Sequence, residues 1–284
     1  MRSKALALIE IILVYAAIQA AGIAWRSAGI VAWEKEHLGW SYTGMLIFVG
    51  IPALIILLAR RRWADYGVSL ENWRTNLEIG LKAYLVQIIP LVLGLGVATS
   101  LMLNTNRVGG LYVALVEIVG LLLMVWVMNR QKPVAGWRRN LVTVILLLLF
   151  PVLLGLAMRR LSAVVVSTVL WQFVFSGFGE EFVWRGYAQS RLNQAFGRPW
   201  KLWGVQFGAG LIISAILFGL LHAFNTYDPA IGLSSLAWGW AVWTAFAGLT
   251  FGVIREKTGT LLAPGIAHGL PDAVGEAILV IFSK

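Results

Sequence analysis

Gly177-Phe178-Gly179-Glu180-Glu181-Phe182-Val183-Trp184-Arg185-Gly186 stands at the foot of a long apolar run, residues 161–178. Two adjacent carboxylates and an arginine close a stretch that is otherwise greasy. The whole chain has 13 acidic residues in 284, so a pair of them here is conspicuous. On a helix, Glu181 and Arg185 are four residues apart and share a face, close enough to pair. Glu180 points about 100° away from Glu181, toward the side of Gly177 and Trp184. One carboxylate is therefore neutralised locally, while the other is free to face a different partner. In hydrocarbon, such an ionisable residue is a functional-site hypothesis by default.

Working outward, the chain is 59% hydrophobic with a mean hydropathy of +0.80. These values indicate an all-α polytopic membrane protein rather than a soluble domain. The absence of cysteine removes disulfides, thiolate metal sites and a cysteine nucleophile together. The net charge of +10 does not indicate a nucleic-acid partner. Its lysines and arginines sit in short clusters between apolar spans, the positive-inside pattern that orients helices in a bilayer. The start, Met1-Arg2-Ser3-Lys4, leads into an apolar run long enough to span, which favours a first transmembrane helix over a cleaved signal.

Hydropathy predicts spans at 5–25, 43–59, 77–103, 108–128, 141–158, from about 161, and at 202–224, 233–254 and 261–282. That is about eight or nine transmembrane helices of ordinary length. Residues 34–37 read as a polar loop, and 63–76 and 186–201 as interfacial. With the N-terminus inside, the basic clusters at 60–62, 130–139, 185–201 and 255–257 all fall inside, while Arg159-Arg160 falls outside against the rule. Simple counting puts Glu180 near the inner end of its span and His222 near the outer end of the next. A sixth helix over 168–191 would move Glu180 toward the bilayer interior and reduce that conflict. Two regions are expected: helices of 1–160 with no recognised motif, and a core over 161–284.

Three histidines are present. His37 reads as a surface residue. His222 closes the apolar segment Leu217-Phe218-Gly219-Leu220-Leu221-His222, and His268 and Asp272 share a helix face if the helix survives Pro271. Glu180, His222, His268 and Asp272 thus come from three apolar helices. Three readings stand side by side. They converge on a water as a hydrolytic site; they hold a metal such as zinc; or they are interhelical polar contacts. Glu10, Glu117 and Glu276 also lie in apolar runs and read as helix contacts.

These residues carry a resemblance. Glu-Glu-x-x-x-Arg (Glu180, Glu181, Arg185), Phe-x-x-x-His (Phe218, His222) and His-x-x-x-Asn/Asp (His268, Asp272) resemble the three signatures of the CPBP family. This family comprises the CAAX proteases and bacteriocin-processing enzymes, also called Abi. The likeness covers about residues 165–280 and extends to Arg185-Gly186 and to Gly259-Thr260-Leu261-Leu262-Ala263-Pro264-Gly265-Ile266-Ala267 before His268. Asp272 stands where the CAAX enzymes carry Asn, and Pro271 between the last pair is a second departure.

The resemblance implies an intramembrane glutamic endopeptidase with a conical catalytic core and no cofactor or metal. It would act on a membrane-associated peptide, prenylated CAAX-like tails included, in a multi-pass protein of a prokaryotic plasma membrane. By that likeness Glu180 is the general base and His222 helps activate a water. His268 and Asp272 stabilise the oxyanion, and an ionised Asp272 would instead orient His268. Glu181, Arg185 and Phe218 are structural support. The chemistry is compatible, since peptide hydrolysis needs a base, a positioned water and oxyanion donors. A zinc-dependent membrane protease, or a catalytically silent scaffold or immunity protein, remains open at this point.

Overall fold

The computed structural model describes residues 2–101, 107–132, 136–227 and 231–283. The sequence also predicts a turn over Asn225-Thr226-Tyr227-Asp228-Pro229, and its last two residues, like the last two of the third expected span, lie outside the described residues. Its helices are α1 (Arg2–Ser27), α2 (Ile30–Leu38), α3 (Tyr42–Leu58), α4 (Trp73–Ser100), α5 (Arg107–Asn129) and α6 (Trp137–Ala157). They continue as α7 (Ala163–Phe196), α8 (Ala209–Ala223), α9 (Trp238–Thr258) and α10 (Leu262–Phe282). Among the described residues, seven helices are long and apolar enough to cross a membrane, with α3 a shorter apolar helix beside them. The protein is an integral, multi-pass, all-α membrane protein. Side chains such as Leu13, Leu58, Leu115 and Leu146 are exposed on the bundle's outside, as a lipid-facing surface requires.

Four sequence expectations change. Residues 34–37 are not a loop but part of α2, which is bracketed by Gly29 and Gly39, both at positive φ. The Gly39 amide closes α2 by donating to the Lys35 carbonyl, a left-handed stop that glycine adopts freely. Within it Glu34 is buried, accepting from Ser41 Oγ and the Thr43 amide. Residues 63–76, read as one interfacial stretch, divide instead into a short 3-10 turn, Trp63–Tyr66, and the start of α4 at Trp73. The interfacial reading of 186–201 fails at its start: Gly186, Tyr187, Ala188 and Gln189 are buried inside α7. The seventh span is shorter than expected. Its first residues form an antiparallel hairpin, β1 (Trp200–Leu202) with β2 (Val205–Phe207), turning on Trp203 and Gly204, both at positive φ.

α7 is the longest span, 34 residues, and this length removes the register conflict. Glu180 sits near its middle, deep enough to meet a histidine near the far end of α8. Much of α7 is wound in the wider π form, over Trp171–Glu180 and Phe182–Gln189. Such widened turns are frequent at functional sites. Glu10 ties α1 to α7 and to the loop after α3 by accepting from Arg61, Arg191 (2.9 Å) and Tyr187 (2.6 Å). Glu117 accepts from Gln87 and Thr250, joining α4, α5 and α9. Both are helix contacts, as expected, whereas Glu276 is exposed. Arg160, the exception to the charge rule, donates to the Ile281 carbonyl at the end of α10. It caps a helix C-terminus there, where a cation is favourable.

α7 and α10 approach closely because both are glycine at their crossing. A Cβ on Gly177 would lie 2.5 Å from Gly269 Cα, so the two backbones leave no room for a side chain. Gly177→Ala is expected to destabilise the fold by about 1–3 kcal/mol through overpacking. Gly50→Ala, on a face with open space, should not. Thermal unfolding of both variants in detergent checks the contrast.

Candidate active site

Three spans place the polar side chains of the site. α7 supplies Glu180, Glu181 and Arg185; α8 supplies Phe218 and His222; α10 supplies His268 and Asp272. Pro271 does not break α10, which runs through it. The four side chains predicted to be catalytic do meet.

Glu180 Oε2 lies 4.0 Å from His222 Nε2 and 4.0 Å from His268 Nε2. That oxygen is buried and has no hydrogen-bond partner. A separation of 4.0 Å is too long for a direct bond and is the kind of gap one water bridges. His222 Nδ1 is 2.9 Å from the Phe218 carbonyl. A carbonyl only accepts, so Nδ1 carries the proton and Nε2 presents its lone pair toward Glu180. This gives Phe218 a second task through its backbone, besides the packing foreseen for its ring.

The spacing predicts that Glu181 pairs with Arg185. It does pair with Arg185, at 3.0 Å and with both side chains fully buried. Its Oε1 also accepts from His268 Nδ1 at 3.0 Å. Glu181 is thus the group that fixes the ring of His268. With Nδ1 donating to Glu181, Nε2 of His268 is left facing Glu180 and Asp272, whose Oδ2 is 3.5 Å away. The arrangement suits a ring that donates from both nitrogens. Asp272, a third exposed, stands at the edge of this group rather than inside it.

Aromatic rings wall the site. Phe251 of α9 stacks on His268 at 4.8 Å and 12°, and Phe218 meets His222 edge-on at 4.5 Å. The Arg185 guanidinium lies 4.3 Å from the Phe218 ring centre and 5.3 Å from that of Phe251. Trp240 of α9 flanks His222 at 6.3 Å. Phe251 and Trp240 were not singled out from sequence, where an aromatic in an apolar span is indistinguishable from packing. A cavity of about 490 Å³ leads to Glu180 and His222, with Trp25, Arg26, Lys35, Trp40 and Trp171 among its lining residues.

Among the described residues no group of three or more His, Asp or Glu side chains is arranged to hold a metal ion. The Nδ1 atoms of both histidines are already engaged. What the arrangement can do chemically is hold a water between a carboxylate oxygen and an imidazole lone pair, with a second imidazole 4.0 Å from the same oxygen.

Residues 161–274 match a family model described as Rce1-like, Type II CAAX prenyl endopeptidase Rce1-like. The matched segment contains Glu180, His222, His268 and Asp272, and so agrees with the resemblance carried by the three motifs. Comparison with curated proteins and with solved structures returns no match.

The buried Arg185–Glu181–His268 chain makes a prediction. Arg185→Ala leaves the Glu181 charge without its cation and is expected to destabilise by about 3–5 kcal/mol. Arg185→Lys should restore little, because an ammonium lacks the planar face that lies on Phe218 and Phe251. The monodisperse fraction after extraction, and its melting temperature, measure both.

Proposed function

From the premise that residues 161–274 belong to the Rce1-like family of Type II CAAX prenyl endopeptidases, we propose that this protein is an intramembrane glutamic peptidase with Glu180 as its general base. The observation that carries the reading is the position of Glu180 Oε2, unpartnered and 4.0 Å from two imidazole nitrogens on two other helices.

In this reading a water lies between Glu180 and His222. One of its protons faces the carboxylate and the other faces the Nε2 lone pair of His222. That leaves an oxygen lone pair aimed at the substrate carbonyl. Glu180 takes the proton as the water attacks, forming the tetrahedral intermediate, and then gives it to the leaving amine. His268 stands on the far side of Glu180 and donates its Nε2 proton to the oxyanion. Glu181 fixes that ring from behind, and Asp272 positions it from the rim. The apolar walls keep bulk water away from the intermediate. No step uses a serine or cysteine nucleophile. The substrate is a peptide segment at the membrane, a lipidated tail being one form of it.

Two predictions test this. Glu180→Gln keeps the shape but removes the base, and should lower kcat by at least about 10²-fold, with His222→Ala similar. Wild-type cleavage rates from folded, membrane-inserted variants would sink the proposal. Loss of activity on chelation, restored by zinc, would favour a metal enzyme instead. Asp272→Asn, which keeps a group able to bond His268, should retain most activity. Asp272→Ala should lower kcat more than it changes KM, in a steady-state assay on the same peptide.

A further inference from the structure

The helices alternate in direction, so the bundle has two rims. One rim carries Arg60-Arg61-Arg62, Arg130, Arg138-Arg139, Arg191, Arg198, Lys201 and Lys257. Side-chain bonds tie these loops into one face. Lys257 donates to Asn129 and to the Gly204 carbonyl of the hairpin. Arg61 and Arg191 share Glu10, and Arg198 pairs with Glu256. The opposite rim is formed by the end of α1, by α2, by the start of α3 and by the end of α8. It is held by Trp40 stacked on Trp171, Trp25 donating to Thr43, and Ser167 donating to the Leu38 carbonyl. Basic residues are sparse there, and Arg160 among them is committed to a helix end. Lysine and arginine in short loops hold a rim on the cytoplasmic side.

The route to Glu180 runs to the sparse rim. The cavity is lined by Trp25, Arg26, Lys35, Phe224 and Asn225, all near the ends of helices on that side. Toward the basic rim, α7 is solidly packed. Trp184, Arg185, Tyr187 and Leu192 are each at most 2% exposed, and Tyr66 closes over Tyr187. Among the described residues neither Arg26 nor Lys35 has an acidic partner, so the mouth carries two cations on the face where cations are otherwise few.

We propose that the catalytic cavity is entered from the face opposite the basic rim, so that the peptide it takes lies on the translocated side of the membrane. This rests on the reading of Glu180 as catalytic and adds the class of substrate. That class is a segment exposed on, or reaching in from, the non-cytoplasmic leaflet, with an acidic group to meet Arg26 and Lys35. A tail confined to the cytoplasm has no path to Glu180 through α7.

The chain has no cysteine, so single cysteines report position directly. Lys35→Cys and Asn225→Cys mark the cavity mouth; Arg62→Cys and Lys201→Cys mark the basic rim. All four positions are exposed. In intact cells treated with a membrane-impermeant maleimide, the first pair should label and the second pair only after permeabilisation. The reverse pattern, equal labelling of both pairs, or no labelling of the mouth pair even after permeabilisation would overturn the proposal. Labelling needs no catalysis. A failure here therefore leaves the role of Glu180 standing, and a fully active Glu180→Gln would leave the labelling pattern standing.

Discussion

One buried carboxylate organises the region of the candidate site. Glu181 is fully enclosed, and in hydrocarbon its charge is tolerable only with partners. Its partners are Arg185 on its own helix and His268 on another. Arg185 in turn lies on Phe218 of α8 and Phe251 of α9. A single chain of paired side chains therefore ties α7, α8, α9 and α10 together. Removing a link would strand a charge where water cannot reach it, which gives the four helices one relative arrangement.

That arrangement is what makes Glu180 useful. As the neighbour of Glu181 it is turned to a different side of the same helix, away from Arg185. It arrives between two imidazoles without a hydrogen bond to either. A base that is already bonded to its neighbours has no capacity left for a water. Here the supporting bonds are assigned to other atoms. The Phe218 carbonyl accepts from Nδ1 of His222 and Glu181 accepts from Nδ1 of His268, so both Nε2 atoms are left to face Glu180.

The close crossing of α7 and α10 is the mechanical counterpart of this electrostatic design. Gly177 lies one turn before Glu180, and Gly269 is next to His268. Bulk at either glycine would separate Glu180 from the imidazole it faces. The aromatic wall contributes in the same way, since Phe251 stacked on His268 prevents the ring from turning out of register.

Composition and hydropathy alone determined that this chain is a bundle of membrane-spanning helices, because hydrocarbon admits few other solutions for an apolar backbone. The motif spacing was also sufficient to single out Glu180, His222, His268 and Asp272 as a set, and the structure brings these four together; ionisable groups in apolar spans are few and stand out individually. It was not sufficient to find the bond from Glu181 to His268, the wall of Phe251 and Trp240, or the helix formed by 30–38 and the hairpin of 200–207. Those depend on residues far apart in the chain, or on stretches whose composition resembles an ordinary loop or span. Whether three side chains on three helices converge is decided by the crossing of those helices. Only tertiary packing, with a 34-residue α7 crossing α10 at two glycines, sets that crossing.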